Sequence, residues 1–169
     1  MRLSQNFTLA ELCVSDTAER MGRPIEAPKE IIDSLRRGCR TVLQPIRTLN
    51  GGPLIINSGY RPEWLNKAIG GSKNSQHMKG QAADFRILRA QSNRTLLGLC
   101  RAIEKSDIPY DQLIYETGTW IHVSWAAYAQ EPRRQALTMY RKPGLMANKP
   151  KTTYVPGLHE IADLLTRSA

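Results

Sequence analysis

Two histidines and an aspartate occupy positions that could form a metal site. His77 lies in a polar loop that leads into residues 82–87, where the residue pattern alternates as in a strand and includes Asp84. His122 lies in a second segment of strand-like alternation, at residues 120–125. Successive side chains of a strand point to opposite faces, so Asp84 and His122 share the open face of a sheet if their apolar neighbours face the core. Two imidazoles and one carboxylate leave a fourth position for water, the pattern of a catalytic zinc site.

Zinc chemistry of this kind also needs an acid–base group. Zinc would bring the pKa of its water toward neutrality, making a nucleophile, and a nearby carboxylate could pass that proton to a leaving amine. Glu116 is the acid near the turn between the two strands of a predicted hairpin at residues 111–125. A three-residue loop at 117–119 pairs Glu116 with Trp120 and puts its carboxylate on the metal face, whereas a two-residue turn inverts its direction. We predict the longer loop and Glu116 as the catalytic base.

Each of these residues also has an ordinary structural explanation. A histidine in a loop is commonly polar surface, and a strand aspartate near an arginine such as Arg86 commonly forms an ion pair. Spacing alone therefore leaves both the zinc site and these simpler explanations open.

Three sequence blocks resemble the zinc D,D-peptidases of the peptidase M15 family. They are S-x-H-x-x-G-x-A-x-D at residues 75–84, W-I-H-V-S at 120–124 and S-G-Y-R at 58–61. The first block is specific, whereas S-G-Y-R alone would be a weak signal. The resemblance extends over about residues 7–125.

The resemblance implies a fold and a set of site residues. The fold is a hedgehog/D-Ala-D-Ala-peptidase-like zinc fold, with one Zn²⁺ per chain. The implied residues are His77, Asp84 and His122 as metal ligands, Arg61 as the anchor for a substrate carboxylate, and Ser75 as a substrate contact. An arginine suits a carboxylate because its planar fork donates two hydrogen bonds. Pairing of Arg61 with Glu63 or another acid remains the structural alternative.

One position departs from the family pattern. Many members place the catalytic acid three residues before the last histidine, where this chain has Thr119. Glu116 lies six residues before His122 instead, a spacing similar to that of the zinc fold in hedgehog signalling domains.

The function implied by the resemblance is a zinc metallopeptidase that hydrolyses peptide bonds in bacterial peptidoglycan stem peptides, as phage endolysin endopeptidases do. The alternative enzymatic activity is that of a D-Ala-D-Ala carboxypeptidase, which would bind a free terminal carboxylate of its substrate at Arg61. A zinc-retaining, non-catalytic cell-wall-binding module is a further alternative, because an acid is missing at Thr119.

The composition narrows the class of protein. The chain has 169 residues with 41% hydrophobic and 23% charged residues, which excludes global disorder and fibrous repeats. No apolar run approaches the ~20 residues of a membrane span, and the N-terminus lacks the apolar segment of a secretory signal. We therefore expect a soluble monomer, made in the cytoplasm, that reaches the cell wall through phage lysis or as part of a virion.

The net charge of +9 suits an acidic polymer such as a cell wall as well as it suits nucleic acid. The basic residues are scattered and aromatic residues make up only 7%, so we do not expect nucleic acid as the partner. Three widely spaced cysteines predict buried free thiols rather than disulfides or a cysteine zinc site.

The spacing of apolar residues, together with the glycine and proline residues that end helices and strands, predicts the elements that would position the site. We predict a capped helix after Thr8 and a long helix after residues 27–29 that is stopped at residues 50–53 and is kinked or tightened at Pro45. Further helices are predicted at 62–69, 92–106 and 158–165, and strands at 53–57, 82–87, 111–116 and 120–125. This order predicts an α+β domain with a small antiparallel sheet.

We expect a single domain at 1–169, with a catalytic core at about 7–125 and a basic C-terminal extension at 126–169. Within that extension, residues 131–157 are predicted to be a solvated, partly mobile loop, with a dedicated binding arm as the alternative.

Overall fold

The computed structural model describes residues 1–142 and 150–166. In this part of the chain a sheet has the order β1-β2-β4-β3-β5-β6. Its strands are β1 Leu54–Ser58, β2 Ala82–Ile87, β3 Gln112–Glu116, β4 Trp120–Ser124, β5 Gln135–Lys142 and β6 Lys151–Pro156. Neighbouring strands are antiparallel except for β3 and β5, which are parallel. The α+β class and the mostly antiparallel sheet are as predicted.

The helices come mainly before the sheet strands or between them. They are α1 Leu9–Leu12, α2 Asp16–Arg20, α3 Lys29–Gly38, α4 Gln44–Asn50, α5 Glu63–Ala68, α6 Leu96–Glu104 and α7 Ile161–Thr166. The predicted capping box is present, since Thr8 and Glu11 bond to each other's backbone N–H groups. A π-helical turn at Cys39–Leu43 joins α3 to α4 just before Pro45, which has no N–H to donate.

One face of the sheet forms a single hydrophobic core with buried residues of α3, α4 and α6. Phe85, Ile121 and Val123 are fully buried on this face, and each such side chain contributes about 1.5–3 kcal/mol of hydrophobic stabilisation. Cys39 and Cys100 lie in the same core as free thiols, as predicted, and burial raises the pKa of Cys39 to about 12. The opposite face is therefore left for the polar side chains.

The prediction of a loop at residues 131–157 is wrong for two segments. Residues 135–142 form β5, which adds to the outer edge of β3, and residues 151–156 form β6 beside it. The added strands satisfy backbone groups that β3 would otherwise leave unpaired. Lys149, one of the basic residues of that stretch, lies outside the described residues.

In the described residues, no helix combines the length and the apolar composition that membrane crossing requires.

Candidate metal centre

His77, Asp84 and His122 converge on the face of the sheet away from the helical core. Asp84 on β2 is the direct cross-strand partner of His122 on β4. The Oδ1 atom of Asp84 lies 2.8 Å from Nδ1 of His122 and 3.2 Å from Nε2 of His77, and those two nitrogens are 3.3 Å apart. The shared face predicted from the alternating pattern is confirmed.

A short turn and a glycine carbonyl position His77. The 3₁₀ turn Gln76–Lys79 ends at Gly80, whose φ of 61° lets the chain enter β2. The Nδ1 atom of His77 lies 2.7 Å from the carbonyl oxygen of Gly59, which favours a proton on Nδ1 and leaves Nε2 free to bind a metal. A Cβ atom at Gly59 would lie 2.4 Å from the Leu12 carbonyl oxygen, so only glycine fits there.

The charges of the cluster favour its metal-binding forms. Burial opposes ionisation of Asp84, but the two adjacent histidines outweigh it and hold the pKa of that carboxyl well below its usual range. Burial lowers the pKa of His77 despite the nearby Asp84 carboxylate, which favours the neutral ring. An ionised carboxylate and a neutral imidazole are states that coordinate a cation.

The residues present fit a zinc ion. Their three ligand atoms lie within 4.8 Å of one another, and in the described residues this is the cluster of histidine and acidic side chains that could hold a metal. Two nitrogens and one oxygen form a donor set that zinc accepts.

Glu116 lies on the same face, at the end of β3. It pairs with Trp120, and Ile114 pairs with His122, so the predicted three-residue loop is confirmed. The indole Nε1 of Trp120 donates a 2.9 Å hydrogen bond to Oε2 of Glu116. Burial and the charge of Asp84 raise the pKa of Glu116, which makes its carboxylate a better proton acceptor.

Arg61 brings a mostly buried cation to the site. Its side chain is 15% exposed, and its Nη2 lies 3.9 Å from Oδ2 of Asp84, so the nearby acid is Asp84 rather than Glu63. Its buried Nε has no hydrogen-bond partner among the described residues. Burial lowers the pKa of Arg61, although Asp84 and Glu116 oppose this shift.

These groups line one open cavity of about 550 Å³. Ser75 is also on its wall, as are residues that the sequence analysis did not assign to a site: Gln76, Gln112, Ile114, Arg133 and Tyr154. The short β-branched and aromatic run at residues 152–155 is a strand signal that could have placed Tyr154 on a sheet. No local pattern indicates that Arg133 reaches the cavity, because its position depends on a partner 22 residues away, Asp111.

Comparison with known proteins relates this chain to a family of peptidases. Residues 5–124 match the family described as Peptidase M15. An 83-residue segment is 37% identical to a zinc D-Ala-D-Ala carboxypeptidase of Streptomyces albus G, covering 47% of this chain and 31% of that protein. The chain thus spans less than a third of the length of this curated relative.

Proposed function

Since this chain belongs to the peptidase M15 family, we propose that it is a zinc metallopeptidase that hydrolyses peptide bonds in bacterial peptidoglycan stem peptides. The observation that supports this most is the convergence of His77, Asp84 and His122 with Glu116 in one cavity. The sequence similarity to a zinc D-Ala-D-Ala carboxypeptidase supports the choice of metal and substrate class.

The proposed roles follow from the geometry of the side chains. His77, Asp84 and His122 would hold the zinc ion, with the Gly59 carbonyl fixing the ring of His77. When bound, zinc lowers the pKa of a water molecule and polarises a carbonyl group. Glu116 would accept a proton from the attacking water at its carboxylate and deliver it to the leaving amine. The Trp120 indole holds that carboxylate in place.

Arg61 would hold a carboxylate of the substrate. Its position on the cavity wall beside Asp84 supports this role, and Ser75 on the same wall would contact the peptide. We propose that the carboxylate belongs to the stem peptide beside the cleaved bond, which makes the protein an endopeptidase of the endolysin type.

A D-Ala-D-Ala carboxypeptidase is the second candidate, and the relative from Streptomyces albus G favours it. In that case Arg61 would bind the terminal carboxylate of the peptide. The position of Glu116 beside the metal ligands speaks against a non-catalytic wall-binding module, despite Thr119.

We further propose that the chain is a monomeric single domain acting at the cell wall during phage lysis or from a virion. Its net charge of +9 supports attraction to an anionic wall polymer.

The test is digestion of purified peptidoglycan by the zinc-loaded protein, followed by mass spectrometry of the released muropeptides. New termini within the stem or its cross-link would support the endopeptidase, and loss of terminal D-Ala alone would identify the carboxypeptidase. Zinc-loaded protein that releases neither product would contradict the proposed function.

A further inference from the structure

Arg133 adds a second cation to the wall of the site cavity. It lies just before β5, beyond residues 5–124 that match the family. Its side chain is 56% exposed, yet it lines the same cavity as Arg61 and Glu116. Tyr154 of β6 lines this cavity as well, so the C-terminal strands contribute one of its walls.

The orientation of the Arg133 guanidinium is fixed by Asp111. Nε and Nη2 of Arg133 donate to the Asp111 carboxylate at 3.0 and 2.6 Å, and the Arg133 backbone N–H donates to it at 2.9 Å. Gln76 adds a further hydrogen bond to the same carboxylate, and Asp111 is only 5% exposed. Within residues 1–142 and 150–166 the Nη1 group has no partner. A rigidly held cation thus keeps both N–H donors of Nη1 free.

Arg133 lies toward the opposite end of strand β3 from Glu116. Gln112, Ile114 and Glu116 share the cavity face of β3, and Asp111, which holds Arg133, comes directly before Gln112. The four residue steps from Gln112 to Glu116 span about 13 Å of strand. An extended substrate peptide bound along β3 would cover this distance with about four of its own residues. Arg61, in contrast, lies beside Asp84. The two arginines therefore occupy different parts of one groove.

We propose that Arg133 is a second carboxylate-binding residue of this groove, which selects stem peptides with a free carboxylate remote from the cleaved bond. The free Nη1 edge donates charge-assisted hydrogen bonds to that carboxylate, while Asp111 holds the opposite edge. This inference rests on the proposed peptidase function, because it concerns how the same groove chooses among acidic peptides.

The test uses pairs of synthetic stem peptides that differ only by conversion of one free carboxylate to a carboxamide. We expect the zinc-loaded wild type to show a KM about tenfold lower for the carboxylate form of one pair, since a hydrogen bond to a charged group is worth roughly one factor of ten. Arg133→Gln should abolish this preference with little effect on the carboxamide peptide. Arg40→Gln, on a remote exposed surface, should retain it.

Two further measurements separate the possible failures. Arg133→Gln could fold poorly because it leaves the buried Asp111 carboxylate unpaired. The double variant Asp111→Asn/Arg133→Gln removes that carboxylate as well and should also lose the preference. Calorimetric binding of the same peptides to Glu116→Gln protein reports selection without turnover. Retained preference in both Arg133→Gln and the double variant, or no preference in the wild type while it cleaves the peptides, overturns the inference alone. Absence of both cleavage and binding overturns the proposed function and the inference together.

Discussion

Asp84 and His122 face each other across strands β2 and β4, with Oδ1 of Asp84 2.8 Å from Nδ1 of His122. A one-residue slip of either strand would turn one of these side chains toward the helical core. The apolar neighbours Phe85 and Ile121, also a cross-strand pair, are fully buried and oppose such a slip. The hydrophobic core therefore sets the register that brings two of the proposed metal ligands together.

Asp84→Asn should weaken zinc binding by at least about tenfold, because a neutral amide replaces an ionised ligand. Elemental analysis of dialysed protein should give one zinc per wild-type chain and much less for the variant. Asp107→Asn, at an exposed position, is the matched control and should keep its zinc. Chelation should lower the Tm of the wild type, and a wild type without zinc after zinc supply would contradict the metal assignment.

Glu116→Gln should fold and retain zinc, because Glu116 is not among the three converging ligands. Its rate of peptidoglycan hydrolysis should fall roughly 10²–10⁴-fold, the usual contribution of a positioned proton-transfer group. Glu160→Gln, at an exposed position, should hydrolyse at the wild-type rate. If Glu116→Gln is equally active, the base must be another group.

Arg61→Lys should reduce kcat/KM by roughly 10–100-fold, because lysine keeps the charge but loses the planar fork that holds a carboxylate. Arg40→Lys, far from the cavity on an exposed surface, should have no measurable effect. Steady-state kinetics on a soluble muropeptide compares the two variants. Equal and small effects would mean that Arg61 has a structural role.

Gly59→Ala should destabilise the protein by about 1–3 kcal/mol, because its Cβ would overlap the Leu12 carbonyl oxygen at 2.4 Å. The displaced Gly59 carbonyl would also release the ring of His77, so zinc affinity should fall. Urea unfolding and zinc titration measure the two effects. Unchanged zinc affinity would show that the carbonyl does not position His77.

Asp111→Asn should destabilise the protein at pH 7. Hydrogen bonds from Arg133 lower the pKa of Asp111 from 3.8 to about 2 in the folded protein, although burial opposes this. A lowered folded-state pKa stabilises the protein above the unfolded-state value, and the stabilisation disappears as the pH falls from about 4 toward 2. Urea unfolding at several pH values should therefore show the wild type and the variant converging in acid, and a constant difference would contradict this origin.

The sequence by itself determined the local elements and the side-chain faces. Alternating apolar residues around Asp84 and His122 predicted two strands with both polar side chains on one face, because strand geometry repeats every two residues. The segment at 117–119 allowed two loop lengths, and the predicted three-residue loop, which sets the direction of Glu116, is the one observed. Such features depend on neighbouring residues, so they can be read from a short stretch of chain.

Only the tertiary structure decided which distant segments share the cavity. Arg133 reaches it through Asp111, and Tyr154 reaches it because β5 adds in parallel to β3 and β6 follows β5. The same applies to Arg61, whose nearest acid is Asp84 and not its neighbour Glu63. Pairing between remote strands depends on which edge is free once the rest of the sheet has formed, and no local period encodes that choice.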